Sequence, residues 1–169
     1  SLLSMDAMTR AIDMMDQAAK ILFIGVGSSA PLAQDIAYRL CRIGFPASAV
    51  IDPHMARIYS NMLSEDCVAV GISHTGRSVE TVSAVEAAKK AGAKTISVTS
   101  FLHSPLTAFC DVNLIIVSSE TAVLNEAISS RIAQIAVLDS LYVGLAMRHS
   151  DEVAERIQNM NRILEDMRL

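Results

Sequence analysis

Five short apolar segments alternate with helical patterns along this chain, and the alternation restricts the folds that it can adopt. Segments with the length and β-branched content of buried strands occur at 21–24, 47–51, 67–72, 94–99 and 112–117. Helix patterns occur at 4–19, 31–43, 53–63, 79–91, 125–147 and from 150 onward. Because strands that alternate with helices pair in parallel through right-handed crossovers, the sequence predicts an α/β fold. We expect a three-layer αβα sandwich around a five-stranded parallel sheet.

The length and charge of the chain predict a single domain, residues 1–169, and exclude some classes of partner. The 169 residues are enough to bury a sizeable core. The net charge is −4 and there is no basic run, so this part of a protein is not expected to bind nucleic acid by itself. The longest apolar stretch, 132–147, is interrupted by Gln134 and Asp139 and is too short to span a membrane.

The cysteines and histidines give no sign of a metal or disulfide framework. Cys41, Cys67 and Cys110 are odd in number and widely spaced, which predicts reduced core cysteines in a cytoplasmic protein. The four histidines lack metal-ligand spacing, and we expect neither a metal nor a cofactor. The chain opens with Ser1 rather than Met, which predicts that it is a fragment or a processed form.

The segment 71–80, G-I-S-H-T-G-R-S-V-E, carries the strongest signal of a binding site. It follows a buried strand pattern, leads into a helix, and places the hydroxyls of Ser73, Thr75 and Ser78 around Gly76. The N-terminus of a helix offers unpaired N–H groups and a partial positive charge, which favour an anion such as phosphate. An ordinary N-cap would need only one hydroxyl. The pattern therefore favours an anion site, and Arg77 either contacts that anion or stays a surface charge.

A second glycine turn, G-V-G-S-S at 25–29, follows the first strand. Parallel strands end at the same edge of a sheet, where ligands of such folds bind, so we expect the two turns to meet. The first turn also fits the loose dinucleotide fingerprint, with Asp52 where a ribose-binding acid would lie. An NAD site would leave the hydroxyls near Ser73 without a role, so we keep it only as a minor alternative.

These two turns, together with A-A-K-K-A-G-A-K-T-I-S-V-T-S at 87–100, resemble the sugar isomerase (SIS) domain. The resemblance covers essentially the whole chain. It implies a flavodoxin-like αβα fold that binds phosphosugars, with Ser28 and Ser29 contacting the phosphate or the sugar hydroxyls. The phosphate itself would be held by Ser73, His74 (through its backbone), Thr75, Gly76 and Ser78.

The resemblance is sharper to one branch of that family. The segments I-S-H-T-G-R at 72–77, T-S-F-L-H-S-P-L at 99–106 and S-S-R-I-A-Q-I-A-V-L-D-S-L at 129–141 are similar to the sugar-sensing domain of RpiR-type transcriptional regulators. This implies a phosphosugar-binding effector domain of a regulator of carbohydrate metabolism. A helix-turn-helix domain would precede it, and DNA would be contacted only through that domain. In the sensor, Glu120 would be a phosphosugar-binding residue that accepts hydrogen bonds from sugar hydroxyls.

Two other functions stay open. The first alternative is a stand-alone phosphosugar aldose–ketose isomerase of the 6-phospho-3-hexuloisomerase type, in which Glu120 would move a proton between sugar carbons. His54 or His103 would be its second acid–base group. The run between Glu120 and Ser130 differs from the spacing that the resemblance leads us to expect for isomerases, so we favour the sensor. The second is a dimerisation module that binds no specific phosphosugar.

Apolar stripes on the first and last helices predict a homo-oligomer, a dimer or a tetramer. The stripes comprise Met5, Met8, Ile12, Met15, Val153, Ile157, Met160 and Leu164. They offer more apolar surface than one face of a sheet needs. The alternative is that the two helices cover each other and the sheet.

Overall fold

A computed structural model of the chain describes residues 4–116 and 128–167. Within these residues the strands are β1 (Lys20–Ile24), β2 (Ala47–Val50), β3 (Cys67–Ile72), β4 (Lys94–Thr99) and β5 (Val112–Ile115). The helices are α1 (Met5–Asp16), α2 (Ala30–Arg42), α3 (Pro53–Asn61), α4 (Val79–Lys90), α5 (Ile128–Arg148) and α6 (Ser150–Asp166). Each predicted strand and helix is confirmed, although the last predicted residue of β5 and the first ones of α5 lie outside the described residues.

All neighbouring strands are parallel, and their order across the sheet is β2-β1-β3-β4-β5. This is the order of flavodoxin-like folds. The prediction of an α/β sandwich around a five-stranded parallel sheet is therefore confirmed. In the register, Ile24 lies between Val50 on one side and Gly71 on the other, so β1 and β3 end almost level with each other.

Helices cover both faces of the sheet and create two apolar cores. The larger core joins one face of the sheet to buried residues of α1, α2 and α5, and Val153 of α6 reaches it as well. The smaller core joins the other face to α3 and α4. Strand β3 is buried at all six positions because helices pack on both of its faces, as its uncharged sequence predicts.

Strand β4 faces the larger core with Ile96 and Val98 and turns three buried hydroxyls toward the other side. Each of these hydroxyls donates a hydrogen bond: Thr95 to the Phe109 carbonyl, Ser97 to Asn113 and Thr99 to the His74 carbonyl. A buried hydroxyl needs a partner to offset its lost hydration. The polar side of β4 thus fixes the segments that follow β3 and β4.

The three cysteines, all predicted to lie in the core, differ in their exposure. Cys67 is buried and burial raises the pKa of the Cys110 thiol to about 12, so Cys110 is a protonated, unreactive group at neutral pH. Cys41 is exposed, because it lies on the outward side of α2, and the prediction that it belongs to the core is wrong.

Within the described residues, no helix combines the length and apolar character that crossing a membrane requires.

Candidate functional site

The two serine-rich turns lie next to each other at the carboxyl edge of the sheet. Strand β1 pairs with β3, and the chain leaves their ends in opposite directions, toward β2 from one and toward β4 from the other. This is the switch point at which open α/β sheets bind ligands. We call residues 25–29 the first turn and residues 73–78 the second turn.

The first turn brings backbone and hydroxyl groups to the start of α2. Gly27 has a positive φ of 55° and begins a short 3₁₀ turn that ends at Ser29, where α2 takes over. Ser28 is exposed and Ser29 is buried, and neither hydroxyl has a hydrogen-bond partner within the described residues. Ser29 occupies the N-cap position of α2 without capping it, but the Ala30 N–H already donates to the Gly27 carbonyl and Pro31 has no N–H, so this helix start offers few free donors.

The second turn is closed by its own backbone. The Gly76 N–H donates to the Ser73 carbonyl at 3.2 Å, with Gly76 at a φ of 64°. Ser73 is only 4% exposed, and its N–H donates to the Val98 carbonyl of β4. Its hydroxyl has no hydrogen-bond partner within the described residues, and its oxygen is not among the fully buried unpaired atoms there.

The hydroxyls of Thr75 and Ser78 form long hydrogen bonds with neighbouring residues. Thr75 is exposed, and its hydroxyl accepts a 3.3 Å hydrogen bond from the Arg77 N–H. Ser78 is the N-cap residue of α4, but its hydroxyl donates to Glu80 instead of capping the helix. The alternative of an ordinary capped turn therefore does not describe this helix start. Glu80 adds a negative charge there, which would oppose a bound anion.

His74 connects the second turn to the segment that follows β4. Its Nδ1 lies 3.0 Å from the Ser100 hydroxyl, and its ring meets Phe101 edge-on at 5.8 Å between centroids. Its carbonyl accepts hydrogen bonds from the Ser100 N–H and from the Thr99 hydroxyl. The imidazole is therefore held by Ser100 and Phe101.

Residues 100–107, which follow β4, pack against the second turn and support it. The Leu106 N–H donates to the Gly76 carbonyl at 3.0 Å. A Cβ placed on Gly76 would lie 2.2 Å from Oγ of Ser104, so only glycine allows this close approach. The sequence analysis noted this segment only for its resemblance to regulators and missed its role as a support, because the contact joins residues 28 positions apart.

Helix α5 brings a cation to the first turn that the sequence analysis did not single out. Nη2 of Arg131 donates to the Ser28 carbonyl at 2.8 Å. The residue lies within the S-S-R-I-A-Q segment, which was noted only for its resemblance to regulators. This segment could therefore have indicated from the sequence that α5, in addition to the two turns, contributes to the site.

The sequence analysis also named Asp52, His54 and Glu120 as candidate functional residues. Asp52, the acid required by the NAD alternative, caps α3 by accepting a hydrogen bond from the Met55 N–H at 2.8 Å, so this structural role already accounts for it. His54 belongs to α3 and lines a groove whose α4 side includes Val79 and Glu80, the residues that directly follow the second turn. Glu120 lies outside the described residues. Within the described residues no three metal-ligating side chains cluster.

Comparison with known proteins identifies relatives over the whole chain. The family model of the SIS domain matches residues 14–144. An uncharacterized HTH-type transcriptional regulator of Caldanaerobacter subterraneus is 35% identical over 164 residues, which are 97% of this chain and 58% of that protein. A similar regulator of Clostridium perfringens is 36% identical over 97% of this chain and 59% of its own length. The chain thus spans somewhat more than half the length of these curated relatives.

Two solved structures share the fold. The Vibrio vulnificus NanR protein complexed with ManNAc-6P has a TM-score of 0.90 and 26% identity, covering 99% of this chain and 64% of that one. The sugar isomerase domain of an RpiR transcription factor from Sphaerobacter thermophilus has a TM-score of 0.85 over 95% of this chain and 88% of that one. Its 20% identity makes it evidence for the fold alone.

Proposed function

Because the chain belongs to the SIS domain family, we propose that it is the phosphosugar-binding effector domain of an RpiR-type transcriptional regulator. The observation that carries the proposal is the meeting of the two serine-rich turns at the switch point, where the hydroxyls of Ser29 and Ser73 have no hydrogen-bond partner within residues 4–116 and 128–167. Unpaired hydroxyls beside the start of α4, whose N-cap side chain does not cap it, suit a phosphate and sugar oxygens.

The proposed roles follow the predicted residues. Ser73, Thr75, Ser78 and the backbone at His74 and Gly76 hold the phosphate, while Ser28 and Ser29 contact the phosphate or the sugar. The ManNAc-6P complex of NanR supports a phosphosugar as the ligand class. In the full-length protein, a helix-turn-helix domain beyond this chain would contact DNA, which agrees with the names of the curated relatives and with a cytoplasmic location.

A thermal-shift panel tests the proposal. The panel comprises ManNAc-6P, glucose 6-phosphate, fructose 6-phosphate and ribose 5-phosphate, with the unphosphorylated sugars and inorganic phosphate as controls. A ligand present at a hundredfold excess over its dissociation constant stabilises the folded state by about 2.7 kcal/mol. For a domain of this size the Tm should then rise by about 5–10 °C. If no sugar phosphate raises the Tm, the chain is not a phosphosugar sensor.

The isomerase remains the alternative, and it depends on Glu120. A proton transfer between sugar carbons needs a base as well as a group that delivers a proton to oxygen. We expect a bound sugar phosphate to keep its aldose or ketose form when it is followed by NMR in the presence of the protein. Interconversion that Glu120→Gln abolishes would establish the enzyme instead.

We also propose that the domain forms a homo-oligomer, through a surface that shares Leu164 with the predicted stripes but not their buried members. Met8 and Met15 of α1 are buried inside the chain, where α1 packs on α5 and β5. One group of large exposed apolar residues lies on the outer side of α5 and around the end of α6: Ile132, Ile135, Val143, Met147, Ile163, Leu164 and Met167.

Light scattering at micromolar concentration should give at least twice the 18.2 kDa chain mass. Replacing Ile132 and Met147 by glutamate should lower that mass, since burying an unpaired charge at an interface is unfavourable. Met5→Glu is the matched control, because Met5 is 80% exposed on α1, and it should leave the mass unchanged. A monomeric wild-type protein would contradict the proposal.

A further inference from the structure

Two buried side-chain atoms in residues 4–116 and 128–167 have no hydrogen-bond partner: Oγ of Ser60 and Nε2 of Gln134. Ser60 lies on α3, on the far side of the sheet from the first turn of α5. Gln134 lies on α5 and is only 3% exposed. An unpaired buried amide destabilises a folded protein, so its presence calls for an explanation such as a missing ligand.

The position of Gln134 along α5 brings it close to the candidate site. Arg131, three residues earlier, donates to the Ser28 carbonyl, so the beginning of α5 lies within an arginine side chain's reach of the first turn. Three residues advance an α-helix by about 4.5 Å along its axis. The Cα–Cβ bond of a helical residue leans toward the helix N-terminus, so the side chain of Gln134 starts out in the direction of the first turn.

Gln134 and Ser130, one turn earlier, are the polar residues of the buried face of α5. The same face continues with Val137, Leu138, Leu141 and Leu145, all of which belong to the larger core. Leu32 and Ala33, in the first turns of α2, belong to that core as well. Gln134 is therefore a polar residue at the boundary between this apolar core and the first turn.

We propose that Gln134 selects the sugar, by donating a hydrogen bond from Nε2 to an uncharged sugar oxygen. This proposal rests on the proposed phosphosugar function. The second turn supplies the donors for the phosphate, and the amide supplies a neutral donor that suits a hydroxyl or carbonyl oxygen. A site with a buried donor rejects a ligand that leaves the donor unpaired, so Gln134 discriminates between sugars as well as binding one.

Gln134→Met tests the proposal, because methionine keeps the unbranched length of glutamine and removes the amide. Calorimetric titration should show a three- to tenfold weaker affinity for each sugar phosphate of the panel that binds the wild type. The affinity for inorganic phosphate should stay within twofold of wild type. The Tm without ligand should be equal or higher, since an unpaired buried amide has been removed.

Two further variants test whether the effect comes from the position of the Gln134 amide. Gln134→Asn keeps the amide but withdraws it by one methylene, and it should also weaken the sugar phosphates and spare inorganic phosphate. Gln158→Met is the matched control on exposed α6 and should change neither affinity. If Gln134→Met raises the Tm and binds sugar phosphates like the wild type, the amide is a structural group and the proposal is wrong. If the wild type binds no sugar phosphate at all, the proposed function itself fails.

Discussion

The double substitution Ser73→Ala with Thr75→Ala is expected to weaken the binding of every sugar phosphate by about two to four orders of magnitude. A hydrogen bond to a charged group contributes roughly 1.5–3 kcal/mol, and the estimate assumes that the two losses add. The Ser73 hydroxyl has no partner in the described protein, and the Thr75 hydroxyl has one long bond from the Arg77 N–H. Removing both hydroxyls therefore breaks little within the protein.

Calorimetric titration of wild type and double mutant, beside melts without ligand, measures the two effects separately. The Tm of the double mutant should change little, since the loss of a turn or cap bond costs only about 1 kcal/mol. Ser83→Ala is a suitable control, because the Ser83 hydroxyl only donates back to the Glu80 carbonyl within α4. Wild-type affinity in a folded double mutant would remove the second turn from the phosphate site.

Gly76→Ala is expected to destabilise the domain by about 3 kcal/mol, for two separate reasons. The φ of 64° at Gly76 is unfavourable for any residue with a Cβ. In addition, the new Cβ would lie 2.2 Å from Oγ and 2.5 Å from Cβ of Ser104. A loss of this size lowers the Tm of a domain of this length by about 6–12 °C. It should also abolish sugar phosphate binding, because the second turn cannot keep its shape.

The variant Gly27→Ala separates the cost of the positive φ from the cost of the close contact with Ser104. Gly27 also has a positive φ, of 55°, but a Cβ there would meet no atom within 4 Å. This variant should lose only about 1 kcal/mol. Combining Gly76→Ala with Ser104→Gly should restore the part that is due to the close contact. If Gly76→Ala and Gly27→Ala melt at the same temperature, the contact with Ser104 does not contribute.

The sequence predicted the elements and the position of the two turns because both depend on local patterns. Strand β3 is recognisable from six consecutive uncharged residues, and parallel pairing then requires the turns after β1 and β3 to share an edge. The roles of Ser28, Ser29, Ser73, Thr75 and Ser78 remain predictions that the proposed titrations test.

The features that sequence reasoning missed depend on contacts between distant residues. Arg131 reaches Ser28 across 103 positions, and no local pattern distinguishes such an arginine from a surface charge. Likewise, α1 and α6 have similar apolar stripes, yet Met15 is buried and Met167 is 73% exposed. Periodicity shows which face of a helix is apolar, but the tertiary packing decides whether the chain itself covers that face.

The support of the second turn by residues 100–107 has a consequence for how such a domain diverges over time. The bonds from Ser100 to His74 and from Leu106 to Gly76 are donated by backbone N–H groups, which any residue other than proline provides. Between these two anchors, Phe101, Leu102 and His103 are exposed. Substitutions at these three positions therefore leave both backbone bonds in place, so this loop can diverge among descendants of one gene while the second turn keeps its backbone shape.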